Sequence, residues 1–332
     1  MNSTLILTAV VVILALSFDF INGFHDTANA IATSVSTKAL TPRAAIILAS
    51  TMNLIGAMTF TGVAKTIGGK IADPMKLDNG LPIVIAALVA AITWNLITWY
   101  YGIPSSSSHA LIGALTGSVI VAAGFSAVNF VGFINILKAL IISPILAFSI
   151  GYIIMSVLRL VFRNANPRSV NRGFRFLQII TAAFQSFSHG TNDAQKSMGI
   201  ITFALIAGGL QHTNDIPFWV KLTCAIAMAL GTSVGGWKII RTVGTQIIKL
   251  KPISGFASDF TSASVIVGAT MLGQPVSTTH VISSAIMGVG SAKRLSCVKW
   301  CTAQRMITAW VITLPITATL AGLVYLIVSL FI

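Results

Sequence analysis

Long apolar stretches separated by short polar segments occupy most of this chain. The clearest apolar stretches are residues 44–64, 81–101, 134–162 and 306–331. A helix needs about 20 predominantly apolar residues to cross a hydrocarbon layer of ~30 Å, and each of these stretches is long enough. Backbone polar groups in lipid must be satisfied within their own segment, which favours helices. The pattern therefore predicts an all-α integral membrane protein.

Composition and charge agree with a membrane environment. Hydrophobic residues make up 55% of the chain and charged residues 8%, which is incompatible with a fully wetted surface. The formal charge of +14 lies in short segments between apolar stretches, so it indicates membrane topology and no nucleic-acid partner. The segment 5–16 lacks a preceding basic residue and a cleavage site, so we interpret it as the first membrane helix. The three cysteines have no metal-ligand spacing; no cofactor is expected, and any metal site is left undetermined.

Two motifs occur twice in the chain, in the same order. Residues 22–26 read Asn-Gly-Phe-His-Asp, and residues 189–193 read His-Gly-Thr-Asn-Asp, 167 positions later. Residues 104–109 and 275–280, 171 positions apart, share a proline, a run of hydroxyl residues and a histidine. One such match between apolar sequences could be coincidence, but two at nearly the same spacing indicate duplication. We predict two transmembrane repeats, residues 1–165 and 166–332.

The charges of the connecting loops predict that the two repeats are inverted. The loop at 34–43 is purely basic and the loop at 65–80 is mixed, whereas 207–217 has no lysine or arginine and 237–251 has four. Short cytoplasmic loops collect lysine and arginine, so equivalent loops face opposite sides, as inverted-topology repeats require. Five crossings in each repeat give about ten in all and place both termini outside.

Carboxylates occur where a membrane segment should not tolerate them. The chain has no glutamate, and four of its seven aspartates lie in or beside apolar stretches: Asp19, Asp26, Asp193 and Asp259. An aspartate at the centre of a membrane helix costs ~2.5–3.5 kcal/mol, so these side chains should line a polar cavity. Asp26 and Asp193 occupy equivalent places in the two motifs. For Asp19 and Asp259 the alternative is a helix cap near the membrane interface.

The motifs also predict where an anion would bind. Gly23 and Gly190 predict broken helices or re-entrant hairpins at the repeat interface, whose free amides need a ligand or a polar cavity. Pro104 and Pro275 suit helix starts, so the following hydroxyl residues lie in a first turn, which attracts anions. The alternative is that the serines only cap helices. The candidate substrate-binding residues are Ser105, Ser106, Ser107, Ser108, Ser277, Thr278, Thr279, Asn29, Gln195 and Lys196.

Histidine and lysine residues beside these aspartates suggest ion coupling. His25, next to Asp26, can relay a proton because histidine titrates near neutral pH. Lys196 can neutralise Asp193 or contact an anion, whereas His109 and His280 can equally be buried residues that bond a carbonyl group. The candidate cation- or proton-coupling residues are Asp26, Asp193, His25, Asn192, Asn22, Asp19 and Asp259.

Residues 22–30 and 188–196 resemble the paired signatures of the inorganic phosphate transporter (PiT) family. The resemblance covers nearly the whole chain and includes 104–109, 236–244 and 275–280. The chain lacks the long hydrophilic insert that many members carry, so it is most similar to the compact bacterial low-affinity permeases. The resemblance implies a multi-pass carrier in the bacterial inner (plasma) membrane, with phosphate at the repeat interface, a cation gradient as driving force and commonly a homodimer.

Two details of the resemblance concern the coupling ion and the substrate. His25 stands where sodium-coupled members have asparagine, which implies proton coupling and, in such carriers, neutral metal-phosphate complexes as substrate. Asn192 keeps the other pattern and leaves sodium coupling open. Some members carry sulfate, so a sulfate permease is the alternative. An intramembrane hydrolase is disfavoured because no nucleophile elbow is present and each serine-histidine element is duplicated; a passive channel is disfavoured by the broken helices of an inverted repeat.

Overall fold

The computed structural model describes residues 3–73, 77 and 80–331, and these residues are almost entirely helical. In the first part of the chain the helices are α1 (Ser3–His25), α2 (Thr27–Ser36), α3 (Pro42–Ala57), α4 (Gly62–Lys70), α5 (Gly80–Tyr101), α6 (Ser107–Ala123) and α7 (Phe130–Val161). In the second part they are α8 (Pro167–Ala207), α9 (Phe218–Val234), α10 (Trp237–Gln246), α11 (Pro252–Met271), α12 (Thr278–Ser291) and α13 (Trp300–Val328).

The long apolar helices match three of the four predicted stretches. Helices α5, α7 and α13 cover the predicted segments 81–101, 134–162 and 306–331. Together with the α1–α2 segment they make four helices long and apolar enough to cross a membrane within the described residues, or up to six if each bent pair is one span. Helices α8 and α11 are also long, at 41 and 20 residues, but they are not among these apolar helices. They carry many polar side chains, which lie in the interior of the protein.

The prediction of one helix over 44–64 is wrong. Helix α3 ends at Ala57, and α4 leaves it at an angle of 68°. Helices α9 and α10 form a second bent pair, with an angle of 71°. Parts of the loops predicted at 65–80 and 237–251 are therefore the short helices α4 and α10, while residues 74–76 and 78–79 lie outside the described part of the chain, as do residues 1–2 and 332 at its ends.

Apolar side chains cover the outside of the helices, and polar side chains are concentrated inside. Ile13, Ile47 and Val131 are 64%, 68% and 73% exposed, whereas residues 188–197 of α8 are all buried. Lipid can solvate the apolar exterior, and the polar residues of α8 avoid it by packing against other helices. This distribution explains why hydrophobicity alone identifies some helices and misses α8.

The same succession of elements occurs before and after residue 166. Each part has a helix with the glycine-aspartate motif, a bent pair, a further helix, a short helix that begins at the hydroxyl run, a one-turn 3₁₀ helix and a long helix containing a proline. The packing partners also correspond: α1 packs on α9 as α8 packs on α3, and α6 packs on α13 as α12 packs on α7.

Glycines allow these helices to cross in close contact. A methyl group added at Gly23 would overlap the backbone of Met228 on α9, and one added at Gly190 would overlap the backbone of Asn53 on α3. The break predicted around Gly23 is present but lies three residues later, at Asp26, between α1 and α2. The break predicted around Gly190 is wrong, because α8 runs uninterrupted through it. Small residues let membrane helices approach closely, which is the physical reason for glycine at both positions.

Gly190→Ala should destabilise the protein, while the matched variant Gly173→Ala should not. Both glycines lie on α8, but a methyl group at Gly173 meets nothing within 4 Å. We expect a loss of about 1–3 kcal/mol from overpacking at Gly190 and a gain of up to about 1 kcal/mol in helix propensity at Gly173. Thermal unfolding of the purified variants in detergent measures both. A Gly190→Ala midpoint at or above that of the wild type would contradict this packing.

Candidate functional site

Asp26 lies at the junction of α1 and α2 and is completely surrounded by donors. It is the residue before α2, and its side chain is buried. Ser107 Oγ donates to Asp26 Oδ2 at 2.5 Å, and Thr279 Oγ1 donates to Oδ1 at 2.9 Å. His25 Nδ1 lies 2.7 Å from the same Oδ1. A carboxylate between α1 and the starts of α6 and α12 therefore holds three helices together.

Asp193, in the middle of α8, has an equivalent set of neighbours and one cation. Lys196, one helical turn further on, forms an ion pair with Asp193 Oδ1, and both side chains are buried. Thr278 Oγ1 donates to Oδ2 at 3.0 Å and Asn22 Nδ2 donates at 3.4 Å. His189 Nε2 lies 3.1 Å from Oδ2 without forming a hydrogen bond.

The first turns of α6 and α12 join the two carboxylates into one cluster. Thr278 and Thr279, consecutive on α12, donate to Asp193 and to Asp26 respectively. On α6, Ser107 donates to Asp26, and Ser108 accepts a hydrogen bond of 2.6 Å from the ammonium group of Lys196. Two of the four predicted aspartates, Asp26 and Asp193, and four of the predicted hydroxyl residues thus meet in one buried place.

The cluster is nearly symmetric, and the exception is Lys196. Asn29 Nδ2 donates to Thr279 Oγ1 at 2.9 Å, which is the same contact that Lys196 makes with Ser108. Asn29 and Lys196 are separated by the repeat distance of 167 residues, so one half supplies an amide where the other supplies a cation. Asn29 Oδ1 and Asn22 Oδ1 are buried without a hydrogen-bond partner. These two oxygens are therefore unused acceptors on residues that also contact the cluster through their amide nitrogens.

Both short helices present their first turns to the carboxylates. Ser106 and Ser277 are the N-caps and accept hydrogen bonds from the amides of His109 and His280, so the capping alternative is correct for these two serines. The first backbone bond within α12 comes from Val281, which leaves the amides of its first residues without a helical acceptor. The positive end of the helix dipole therefore lies beside the cluster, and the same applies to α6.

With neutral histidines, the cluster carries a net negative charge. Asp26 and Asp193 contribute two negative charges and Lys196 contributes one positive charge, and all three side chains are buried. Fixed hydroxyl donors and helix dipoles stabilise the carboxylates, but they are the same groups that would hold an oxyanion. An added cation would remove the excess negative charge. The site is thus suited to bind an anion together with a cation.

Other predicted residues support the cluster from outside. Asn192 Nδ2 donates to Thr270 Oγ1 at 3.0 Å, and its carbonyl oxygen accepts from the amide of Val276, which fixes the segment before α12. Gln195 Oε1 accepts from the amide of Val63 at 2.8 Å and also from the next amide, which fixes the start of α4. Neither side chain contacts the two carboxylates through these bonds.

Asp19 and Asp259 are buried within helices and form no hydrogen bond with Asp26 or Asp193. Ser197 Oγ donates to Asp19 Oδ1 at 2.7 Å, and Thr33 Oγ1 donates to Asp259 Oδ1 at 2.6 Å. Because both aspartates lie well inside their helices and are buried, the alternative of caps near the interface is wrong. The second oxygen of each carboxylate is buried without a hydrogen-bond partner.

Several polar residues of the site were not identified from the sequence. Thr98 Oγ1 lies 3.1 Å from His25 Nε2 and accepts a 2.8 Å hydrogen bond from Ser105, so Thr98 and His25 stand between the predicted Ser105 and Asp26. Asn53 donates to Thr27 at 3.1 Å and lies 3.0 Å from His189 Nδ1. An asparagine within an apolar stretch is a signal that could have identified Asn53.

His109 and His280 lie beside each other behind the hydroxyl residues. Their ring centroids are 4.5 Å apart, and the ring of His280 stacks on Trp310 at 4.0 Å. His109 Nδ1 is 2.9 Å from Ser106 Oγ. These contacts support the first turns of α6 and α12 and are consistent with buried packing residues.

Comparison with known proteins places the chain among transporters. The sequence profile of the Phosphate transporter family matches residues 22–169 and 162–321. The chain is 62% identical over 332 residues to the "Probable low-affinity inorganic phosphate transporter" of Bacillus subtilis, and the match covers 99% of each protein. It is 45% identical over 313 residues to the protein of the same name from Rhizobium meliloti, and that match covers 94% of this chain and 93% of the relative. The solved structure of "The sodium-dependent phosphate transporter" is similar with a TM-score of 0.91 and 27% identity, covering 98% of this chain and 100% of the other.

Lys196→Met should destabilise the protein far more than the double variant that also carries Asp193→Asn. Removing the cation leaves a buried carboxylate without its partner, which costs about 3–5 kcal/mol, whereas replacing both members by neutral groups is often nearly neutral. Thermal unfolding of the wild type, both single variants and the double variant measures the coupling between the two side chains. Additive losses in this cycle would contradict a buried ion pair.

Proposed function

This chain belongs to the phosphate transporter family, and from that premise we propose that it is a secondary active carrier that imports inorganic phosphate by symport with a cation. The observation that carries the proposal is the buried cluster in which two carboxylates, one from each part of the chain, share the first turns of α6 and α12. The relatives are named as transporters, so no catalytic chemistry is proposed.

Coupling follows from the charge of the cluster. Phosphate is an anion, and beside Asp26 and Asp193 it is repelled until a cation or proton neutralises the excess negative charge. Cation binding therefore raises the affinity for phosphate, and phosphate raises the affinity for the cation by the same factor. A carrier built in this way moves both together. A symported positive charge gains ~2.3 kcal/mol per 100 mV in a cell with a negative interior, which favours import.

The phosphate oxygens are held by hydroxyl groups that contact the carboxylates and Lys196 in this structure. Ser107, Ser108, Thr278 and Thr279 contact the same three charged side chains, next to the free amides of the two helix starts. Neutralisation of the carboxylates releases these donors to the substrate. Lys196 supplies the one fixed positive charge, and Asn29 occupies the equivalent position on the other side.

Alternating access would come from two inverted repeats, residues 1–165 and 166–332, that rock against each other. The shared order of elements and the exchanged packing pairs α1 with α9 and α8 with α3 support this arrangement. With five crossings in each repeat, both termini lie outside the cytoplasm of a bacterial plasma membrane. Transporters with this symmetry bind substrate at the repeat interface and expose it to each side in turn.

Protons are the proposed coupling cation. His25 Nδ1 contacts Asp26 directly, and its Nε2 contacts Thr98, so a proton can reach the carboxylate through the imidazole. A divalent metal would then enter only as part of a neutral metal-phosphate complex. Sodium coupling is the second candidate, favoured by the similar solved structure, whose title names a sodium-dependent transporter.

Sulfate is the alternative substrate. Near neutral pH phosphate still carries a proton that it can donate to a carboxylate, whereas sulfate has none to donate. A site that contains Asp26 and Asp193 therefore favours phosphate. Competition between labelled phosphate and excess sulfate in reconstituted vesicles separates the two substrates.

Asp26→Asn should abolish gradient-driven phosphate uptake while the protein still folds. The amide cannot take up a proton or bind a cation as the carboxylate does, so we expect at least about a tenfold loss of initial rate. Labelled phosphate uptake into proteoliposomes measures the rate, and thermal unfolding checks the fold. Asp193→Asn should also lose uptake, but it leaves the buried Lys196 without its partner and therefore lowers stability as well. Asp215→Asn, an exposed loop position paired with Lys65, is the matched control. Accumulation at the wild-type level in Asp26→Asn would refute the proposal.

His25→Asn should reduce uptake driven by an imposed proton gradient by about tenfold or more, because the contact between the imidazole and Asp26 is lost. Uptake is measured in parallel vesicles with either a proton gradient or a sodium gradient. Wild-type uptake that follows the sodium gradient alone would exclude protons and favour sodium coupling, while still supporting a phosphate carrier.

A further inference from the structure

A cationic pocket lies at the end of α7 and shares no lining residue with the carboxylate cluster. It has a volume of about 610 Å³ and is bounded by α7, the start of α8, the connection between α10 and α11, and the connection between α12 and α13. Five basic side chains line it: Arg159, Arg163, Lys249, Lys251 and Lys293. The pocket therefore gathers positive charge from three separate segments of the chain, namely the end of α7 with the residues just after it and the two connections.

This positive charge has no counter-charge in the pocket. Within the described residues no aspartate lines it, and the chain contains no glutamate. Arg159 donates to the carbonyl oxygens of Ala292 and Lys293 at 2.6 and 3.3 Å, which fixes its position without neutralising it. Burial, with Lys251 and Arg159 nearby, lowers the pKa of Lys293 from its ordinary value. Mutual repulsion of this kind is relieved by a bound anion.

The remaining wall of the pocket is apolar. Met155, Leu158 and Phe162 from α7 and Ile253 from α11 line it beside the basic side chains. Helix α7 is one of the long apolar helices, and its last turns expose Leu160 and Val161, each at 66%, next to the pocket. The pocket thus lies where an apolar, lipid-facing surface meets a cluster of cations. A water-soluble anion would use only the cationic part of this surface.

We propose that this pocket binds an anionic phospholipid, with its phosphate between the arginine and lysine side chains and its acyl chains along α7. Arginine and lysine are the residues that bind phosphate groups, and basic pockets between membrane helices bind anionic headgroups. The bound lipid would contact α7, which ends the first part of the chain, and three segments of the second part. It would therefore bridge the two parts at the connection between them.

Lipid retention by the purified protein tests the proposal. The protein is exchanged into nanodiscs that contain phosphatidylcholine with a minority of phosphatidylglycerol, released, and the retained lipids are counted by native mass spectrometry. The pocket variant combines Lys249→Gln, Lys251→Gln and Lys293→Gln. The matched control combines Arg168→Gln, Arg172→Gln and Arg175→Gln, three exposed residues of α8 that do not line the pocket.

We expect the wild type and the control to retain phosphatidylglycerol selectively, and the pocket variant to lose that selectivity by about 10- to 100-fold, as three surface cations predict. A variant with the three lysines changed to arginine should retain it. Equal retention by the wild type and the pocket variant would overturn the proposal. Equal loss in both triple variants would also overturn it, because the attraction would then be diffuse.

Free phosphate and glycerol 3-phosphate, added to the same samples, distinguish the lipid from a soluble anion. Displacement of phosphatidylglycerol by either compound at millimolar concentration would show that the phosphate group alone is recognised, against a lipid occupant. Thermal unfolding in pure phosphatidylcholine confirms that each variant is folded.

Discussion

The arrangement of this protein depends on two carboxylates buried where neither water nor lipid can satisfy them. Asp26 and Asp193 are stable only because hydroxyl groups at the first turns of α6 and α12, together with Lys196, surround them. The cost of burying charge in a membrane protein is large, so these contacts determine where the short helices begin and which helices meet. They also link the charge of the aspartates to anion binding, because a change of charge on either aspartate alters which hydroxyl donors are available to an anion.

Close helix crossings keep this polar interior separate from the lipid. Gly23 and Gly190 lie only a few residues from the aspartates, and each allows α1 or α8 to contact the backbone of a neighbouring helix. The helices that carry the polar residues are thus enclosed, and apolar side chains such as Ile47 remain for the exterior. The same principle, that lipid accepts only apolar surface, explains why the excess of basic residues lies at the helix ends.

Lys196 and the basic residues of the cationic pocket differ in whether their positive charge is paired with a carboxylate. Lys196 is buried and paired, and it breaks the near symmetry of the cluster by standing where the other part of the chain has Asn29. The five basic residues of the pocket are unpaired with any described aspartate and lie beside an apolar surface. In the proposed substrate site the cation is already paired, whereas in the proposed lipid site the cations are left for the bound anion to neutralise.

The sequence by itself determined the membrane class, the long apolar helices, the equivalent motifs and the residues of the carboxylate cluster, because hydrophobicity, spacing and the high cost of buried charge are local properties of a chain. It also indicated helix starts at the hydroxyl runs, which α6 and α12 confirm, although each helix begins three residues after the proline at which the sequence predicted it. Only the tertiary structure decided that Gly190 marks a helix crossing instead of a break and that α3 is followed by α4 at a sharp angle. It also showed that Gln195 fixes the start of α4 and that Thr98 and Asn53 belong to the site. These features depend on which distant segment lies opposite each residue, and that is set by packing between helices far apart in the chain.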